Sequence, residues 1–147
     1  MKKNIISNKT IINNLTNQIF FNGKKNYVLG VLLSTLQYFY KKKPMSALNI
    51  LTTFLYKNRP FLETREIRKG SVFYQVPFFI KSKRSYSLIL KWLSKAVKSK
   101  SQSPFLGVNL SKEIKALSIN KGNTFNEAKK LKETVSNNIM HSHYRWR

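Results

Sequence analysis

The sequence contains no cysteine and no aspartate, and its 147 residues include five acids in all, Glu63, Glu66, Glu113, Glu127 and Glu133. Each shortage removes a class of chemistry. Without cysteine there is neither a disulfide framework nor a thiol nucleophile, and with His141 and His143 as the sole histidines a zinc site has no ligand set. Paired carboxylates for acid–base work, oxygen cages for calcium or magnesium, and an aspartate-oriented triad all need residues this chain mostly lacks. No enzyme site, metal, cofactor or small-molecule substrate is therefore expected.

Long apolar runs are also scarce. The best membrane candidate is "YVLGVLLSTLQYFY", Tyr27 to Tyr40, between Lys24-Lys25 and Lys41 to Lys43. Its fourteen residues reach about 21 Å at ~1.5 Å per residue, against ~30 Å of hydrocarbon, and Ser34, Thr35 and Gln37 interrupt it. A buried core helix is the better reading, and no membrane span is expected. The acid-free start, Met1 to Phe21, uses Lys rather than Arg and shows no small-residue cleavage site, so it reads as mature chain.

What is abundant is positive charge. Lys and Arg total 28 against the five acids, giving a formal net charge of +23, while 41% of the chain is hydrophobic, too much for a disordered polyelectrolyte. The length suits one domain spanning residues 1–147. A compact body with so much like charge repels itself, and a polyanion that neutralises it is the simplest partner.

The hydrophobic period organises the chain. Ile11 to Phe21 reads as a first helix closed by the turn "NGKK", Tyr27 to Tyr40 as a second, and Pro44 breaks it and opens a third striped by Ala47, Leu48, Leu51, Phe54 and Leu55. Arg59-Pro60 stops that helix. Phe61 to Ile67 and Val72 to Ile80 then alternate as two strands joined at Gly70, a hairpin arm over 61–80. Pro77 cannot donate to a ladder, so its strand must be an edge there, and such an arm is marginal unless it packs on something. Leu106, Leu110, Ile114 and Leu117 stripe a fifth helix ended by "NKGN" at Gly122, and Thr124 with Glu127 is the pattern of a capping box for a sixth, which points Ala128, Leu131, Val135 and Ile139 inward. The tail is residues 141–147. The predicted fold is mainly α: about six helices with a protruding two-stranded hairpin between the third and fourth.

The fourth helix, Lys83 to Lys98, is the most informative. At ~100° per residue, Arg84, Lys91, Lys95 and Lys98 fall in one stripe and Tyr86, Ile89, Trp92, Leu93, Ala96 and Val97 in the opposite one. Solvated faces normally mix Lys with Glu at i,i+4, but this helix holds no acid, and none is expected to face and neutralise the row. The stripe is expected to contact nucleic acid, and Trp92, at core spacing, to pack.

Several landmarks resemble the ribosomal protein S-seven family: "NGKK" at Asn22 to Lys25, Arg59-Pro60, "YQVP" at Tyr74 to Pro77, Arg84 with Leu88 and Trp92, "NKG" at Asn120 to Gly122, and "HYRW" at His143 to Trp146. The resemblance runs from Asn22 to the C-terminus almost without gaps. It implies a helical protein of the small ribosomal subunit that binds the 3′ major domain of its RNA, nucleates assembly of the head and touches neighbouring ribosomal proteins. It also implies an arm near the exit-site tRNA and the mRNA path, with Arg65, Arg68 and Lys69 at the tip. The RNA-contacting set then comprises Lys24, Lys25, Arg59 and those three, with Lys81, Lys83, Arg84, Lys91, Lys95 and Lys98 around the fourth helix and Tyr144, Arg145 and Trp146 in the tail. Ile67 and Ser71 stand where the family carries an Arg and a Gly, and Asn126-Glu127 where it carries a basic pair.

Lys outnumbers Arg 22 to 6, and Asn, Ile, Phe and Tyr are frequent. With the short N-terminus, this usage resembles organelle-encoded members, mitochondrial ones above all and plastid-type ones as the alternative. Two other classes remain: a general DNA-compacting protein, which bulk duplex DNA would compete away, and a cationic membrane-surface protein, which anionic vesicles would sediment.

Overall fold

The computed structural model describes residues 8–19, 23–42, 46–99 and 105–146. Among them are six α-helices, α1 (Asn8–Ile19), α2 (Lys25–Lys42), α3 (Ser46–Asn58), α4 (Ser82–Ser99), α5 (Leu106–Ser118) and α6 (Asn123–Asn137). A 3-10 helix follows at Ile139–Trp146, and two strands, β1 (Leu62–Lys69) and β2 (Val72–Phe79), lie between α3 and α4. The mainly helical fold with an inserted hairpin is the one the hydrophobic period predicts. Asn22 of the expected "NGKK" turn and Pro44, expected to break the second helix, lie outside the described residues, as do 1–7, 20–21, 43, 45, 100–104 and Arg147, while Gly23 of that turn is left-handed at φ +73°.

One cluster joins five helices. Ile11, Leu15 and Ile19 of α1 meet Val28, Leu32 and Leu36 of α2, Leu51, Phe54 and Leu55 of α3, Ile89, Leu90, Leu93 and Val97 of α4, and Leu110, Ile114 and Leu117 of α5. These sets repeat at three or four residues, the spacing that lines up one face of a helix. Trp92 packs against the cluster as expected. The prediction of a buried helix at Tyr27 to Tyr40 needs correction: α2 buries one stripe, whereas Tyr27, Leu33 and Tyr38 are exposed. It packs chiefly on α1, α3 and α5, so it covers one side and leaves the other to solvent. No described helix is long and apolar enough to cross a membrane.

The junction of α5 and α6 also departs from expectation. Asn120, not Gly122, is the left-handed residue that ends α5, at φ +54°. The Asn120 N–H donates to the Leu117 carbonyl at 3.0 Å and the Lys121 N–H to Ala116 at 2.8 Å, a Schellman pair that uses up two orphan carbonyls. Gly122, at φ +116°, instead leads into α6. The capping box of Thr124 with Glu127 does not form. Thr124 lies inside the helix, and its N–H and hydroxyl donate to Oε1 of Glu113 at 3.0 and 2.8 Å. A fully buried carboxyl from α5 thus caps α6, a long-range partner in place of a local one. Ile139 was expected inward but is exposed, because α6 stops at Asn137 and the 3-10 helix turns it out.

The hairpin pairs Leu62 with Phe79 through Lys69 with Val72, with Gly70 at φ +64° in the turn. Among the described residues the sheet has these two strands, so Pro77, opposite Thr64, sits on an edge as expected. The arm does find support: β1 lies against α6 and β2 against the terminal 3-10 helix. Val76 is fully buried, whereas Val72 and Phe73 near the turn are exposed.

Candidate nucleic-acid interface

The cationic row of α4 exists because the other side of the helix is sealed. Ser85, Ile89, Leu90, Leu93, Ser94, Ala96 and Val97 are buried, and the Ser85 hydroxyl donates to the Pro60 carbonyl at 2.6 Å, drawing the α3–β1 link against the start of α4. Tyr86, placed on the core face by its angle, is half-buried. Arg84, Lys91, Lys95 and Lys98 are all exposed on the outer side, as are Lys81 and Lys83 beside them.

The expectation that no acid faces this row is wrong at two positions. Nε of Arg84 lies 2.8 Å from Glu63 of β1, and Lys95 lies 3.7 Å from Glu127 of α6. Lys98 donates to the Gln18 carbonyl of α1 at 3.3 Å. The helix carries no acid of its own; its partners arrive from elements distant in sequence. Lys91 meets no carboxylate among the described residues.

Glu63 organises the root of the arm, and Arg65, expected at the tip with Arg68 and Lys69, lies at this root instead because it pairs with Val76 and binds Glu63. Arg65, two residues on and therefore on the same face of β1, donates Nε and Nη2 to Oε1 at 2.8 and 2.6 Å, and Arg84 donates Nε to Oε2 at 2.8 Å. Burial by itself raises the Glu63 carboxyl, but the hydrogen bonds and charges of Arg84 and Arg65 outweigh it and hold the group below its ordinary value. Two cations on one anion leave the cluster net positive.

Along the arm, charge and aromatic rings interleave. Arg68 donates to the Gly70 carbonyl at 3.1 Å and stands 5.9 Å from the centre of the Phe73 ring, while Nζ of Lys69 is 4.1 Å from the Tyr144 ring. Tyr144 also packs on Tyr74, with centroids 5.0 Å apart, and His141 meets the same tyrosine edge-on at 5.2 Å. Arg145 lies over Phe79 at 5.1 Å. Tyr144 and Arg145, expected among the RNA contacts of the tail, both lean on the hairpin. The side chain of Trp146 lies outside the described ones.

The remaining members are dispersed. Arg59, at the end of α3, is enclosed by Tyr56, Phe61 and Tyr86 at 4.8, 5.0 and 5.5 Å and donates to the Tyr86 hydroxyl. Lys24 and Lys25 are exposed at the start of α2, an element that does not carry the α4 row. Among the described residues no cluster of three His, Cys, Asp or Glu side chains exists to hold a metal. The residue that sequence reasoning missed is Glu63. The signal was there: period-two alternation puts it beside Arg65 in a chain with almost no other acid to offer.

A family model for ribosomal protein S7p/S5e matches residues 1–138 of the chain. Among similar proteins, the small ribosomal subunit protein uS7 of Wigglesworthia glossinidia brevipalpis is 30% identical over 139 residues, covering 95% of this chain and 88% of the relative. The protein of the same name from Thermosipho africanus is 27% identical over 141 residues, covering 96% of this chain and 90% of the relative.

Proposed function

The chain belongs to the ribosomal protein S7p/S5e family, and on that premise we propose that it binds the 3′ major domain of small-subunit ribosomal RNA and nucleates assembly of the subunit head. At the coarser level it is a structural protein of the small ribosomal subunit, in a family of structural proteins rather than enzymes. The observation that carries the finer reading is the α4 row: four cations on one side of a helix whose other side is locked into a five-helix core. Folded ribosomal RNA presents phosphates at fixed positions, and a rigid cationic edge reads such shape without reading bases.

In this reading Arg84, Lys91, Lys95 and Lys98 contact phosphates together with Lys81 and Lys83. Lys24 and Lys25 contact phosphates from the start of α2, and Arg59 presents its aromatic cage at the base of the arm. Arg68 and Lys69, with the tail residues Tyr144, Arg145 and Trp146, carry the arm toward exit-site tRNA and mRNA, beside neighbouring small-subunit proteins, while Arg65 contacts ribosomal RNA at the root of the arm. The ribosome concerned is mitochondrial, a reading supported by the Lys, Asn and Ile-rich composition, with a plastid-type organelle as the alternative. The test is a binding titration of the purified chain with a head-domain transcript in rising potassium chloride, with random duplex DNA as competitor. Affinity should fall steeply with salt and resist the competitor. Displacement by DNA at equal mass overturns the reading in favour of DNA compaction, and gradient sedimentation away from organellar small subunits overturns the location.

A further inference from the structure

Glu63 is an anomaly in a protein that is to hold RNA: an acid in the middle of the cationic edge. Resting on the reading of the chain as an RNA binder, we propose that Glu63 is a positioning residue that sets the Arg65 and Arg84 guanidiniums side by side as one two-pronged seat for RNA phosphodiester oxygens.

The geometry distinguishes this from an ordinary surface ion pair. The Glu63 side chain is 9% accessible, whereas those of Arg65 and Arg84 are 55% and 59% accessible, so the acid lies beneath and the cations above it. Arg65 spends Nε and Nη2 on one carboxylate oxygen and Arg84 spends Nε on the other. Nη1 of Arg65 and both terminal nitrogens of Arg84 are left by Glu63 to point elsewhere. Phe78, 5.4 Å beneath the Arg65 guanidinium, fixes that side chain further. Guanidinium forks match phosphate geometry, and side chains already held in place give up less rotamer freedom when a ligand arrives. One prong belongs to the arm and the other to α4, so the seat straddles the joint between arm and body.

The proposal makes a prediction opposite in sign to simple electrostatics. Glu63→Gln raises the formal net charge from +23 to +24, which by itself tightens binding to a polyanion. If Glu63 positions the two arginines, the substitution weakens binding instead. Glu63→Asp is sharper still, since it keeps the charge and withdraws the oxygens by about one methylene.

The full chain is titrated with a head-domain transcript over a potassium chloride series, as wild type, Glu63→Gln, Glu63→Asp, Arg65→Gln/Arg84→Gln, and that double variant with Glu63→Gln added. Both single variants are expected to bind about three- to tenfold more weakly, with the salt slope reduced by about one unit per phosphate contact released. Adding Glu63→Gln to the double arginine variant is expected to weaken binding no further, leaving only the slight tightening that the added net charge brings. Binding by the single variants as tight as wild type overturns the proposal, and so does an equal loss in the arginine-free background, which marks a general effect on the fold. Should Glu63→Gln fail to fold by circular dichroism, Glu63→Asp decides by the same criteria. Wild type that shows no salt-dependent binding instead refutes the RNA reading, and the seat with it.

Discussion

Gly122→Ala should be among the most damaging single-methyl additions in this protein. The residue sits at φ +116°, where a side chain costs about 1–3 kcal/mol in the backbone alone. An added Cβ would also lie 2.9 Å from Oε1 of Glu113 and 3.2 Å from Cβ of Ala116. The carboxyl is fully buried and holds both the N–H and the hydroxyl of Thr124, so it cannot swing aside without giving up hydrogen bonds that cap α6. Losing one such bond costs about 1.5–3 kcal/mol when a charged group is involved. Together the two effects amount to about 2.5–6 kcal/mol, a large share of the ~5–15 kcal/mol that stabilises an ordinary domain. Gly23→Ala is the control: its φ is +73°, but among the described residues nothing lies within 4 Å of the added methyl, so it should cost only about 1 kcal/mol. Urea unfolding followed by circular dichroism measures both. In a cycle with Glu113→Ala, about 1–2 kcal/mol of the Gly122→Ala effect should disappear, because the obstructing carboxyl is gone. A Gly122→Ala variant no less stable than Gly23→Ala refutes the reasoning.

Acid titration should expose the arm root. The carboxyl of Glu63 is lowered in the folded protein, so its contribution to stability is complete above its unfolded value, near 4.5, and is lost as pH falls through the lower folded value. Wild type should therefore lose more stability than Glu63→Gln between neutral pH and pH ~3, and parallel acid melts would contradict the assignment. Lys91→Gln should lower the salt slope of RNA binding by about one unit with no change in melting temperature, since Lys91 meets no carboxylate among the described residues; Arg84→Gln should lower both, and a melting temperature unmoved by Arg84→Gln counts against its bond to Glu63. Tyr144→Ala should speed hydrogen exchange at β2 amides while α4 and α5 stay protected, and uniform loss of protection would show that the tail supports the whole body rather than the arm.

The helical body was legible because one stripe per helix is a local property. Val28, Leu32 and Leu36, or Leu110, Ile114 and Leu117, announce a buried face whatever they pack against. The hairpin was legible from Gly70 and the change of period on either side of it. The failures share a cause, which is that a side chain's partner came from another element. Glu113 reaches α6 and displaces the local cap that Thr124 and Glu127 spell out; Glu127, released, faces Lys95 on α4. The exposed side of α2 was misjudged because apolar content measures what could be buried, not how much neighbouring surface exists to bury it. For the candidate interface, the α4 row was visible as a pattern, while the burial of Glu63 beneath two arginines required the fold.

The seam between β2 and the terminal 3-10 helix joins parts of the chain that α4, α5 and α6 separate. Pairing within the hairpin spans a handful of residues and can close in microseconds, whereas bringing Tyr144 onto Tyr74 means closing a loop several helices long. Order in this molecule is therefore expected in two steps, with β-ladder register set early by neighbours and anchorage deferred until the bundle has consolidated. The tyrosine contact should then form on the late side of the folding barrier, where it slows escape from the native state and does little to hasten arrival.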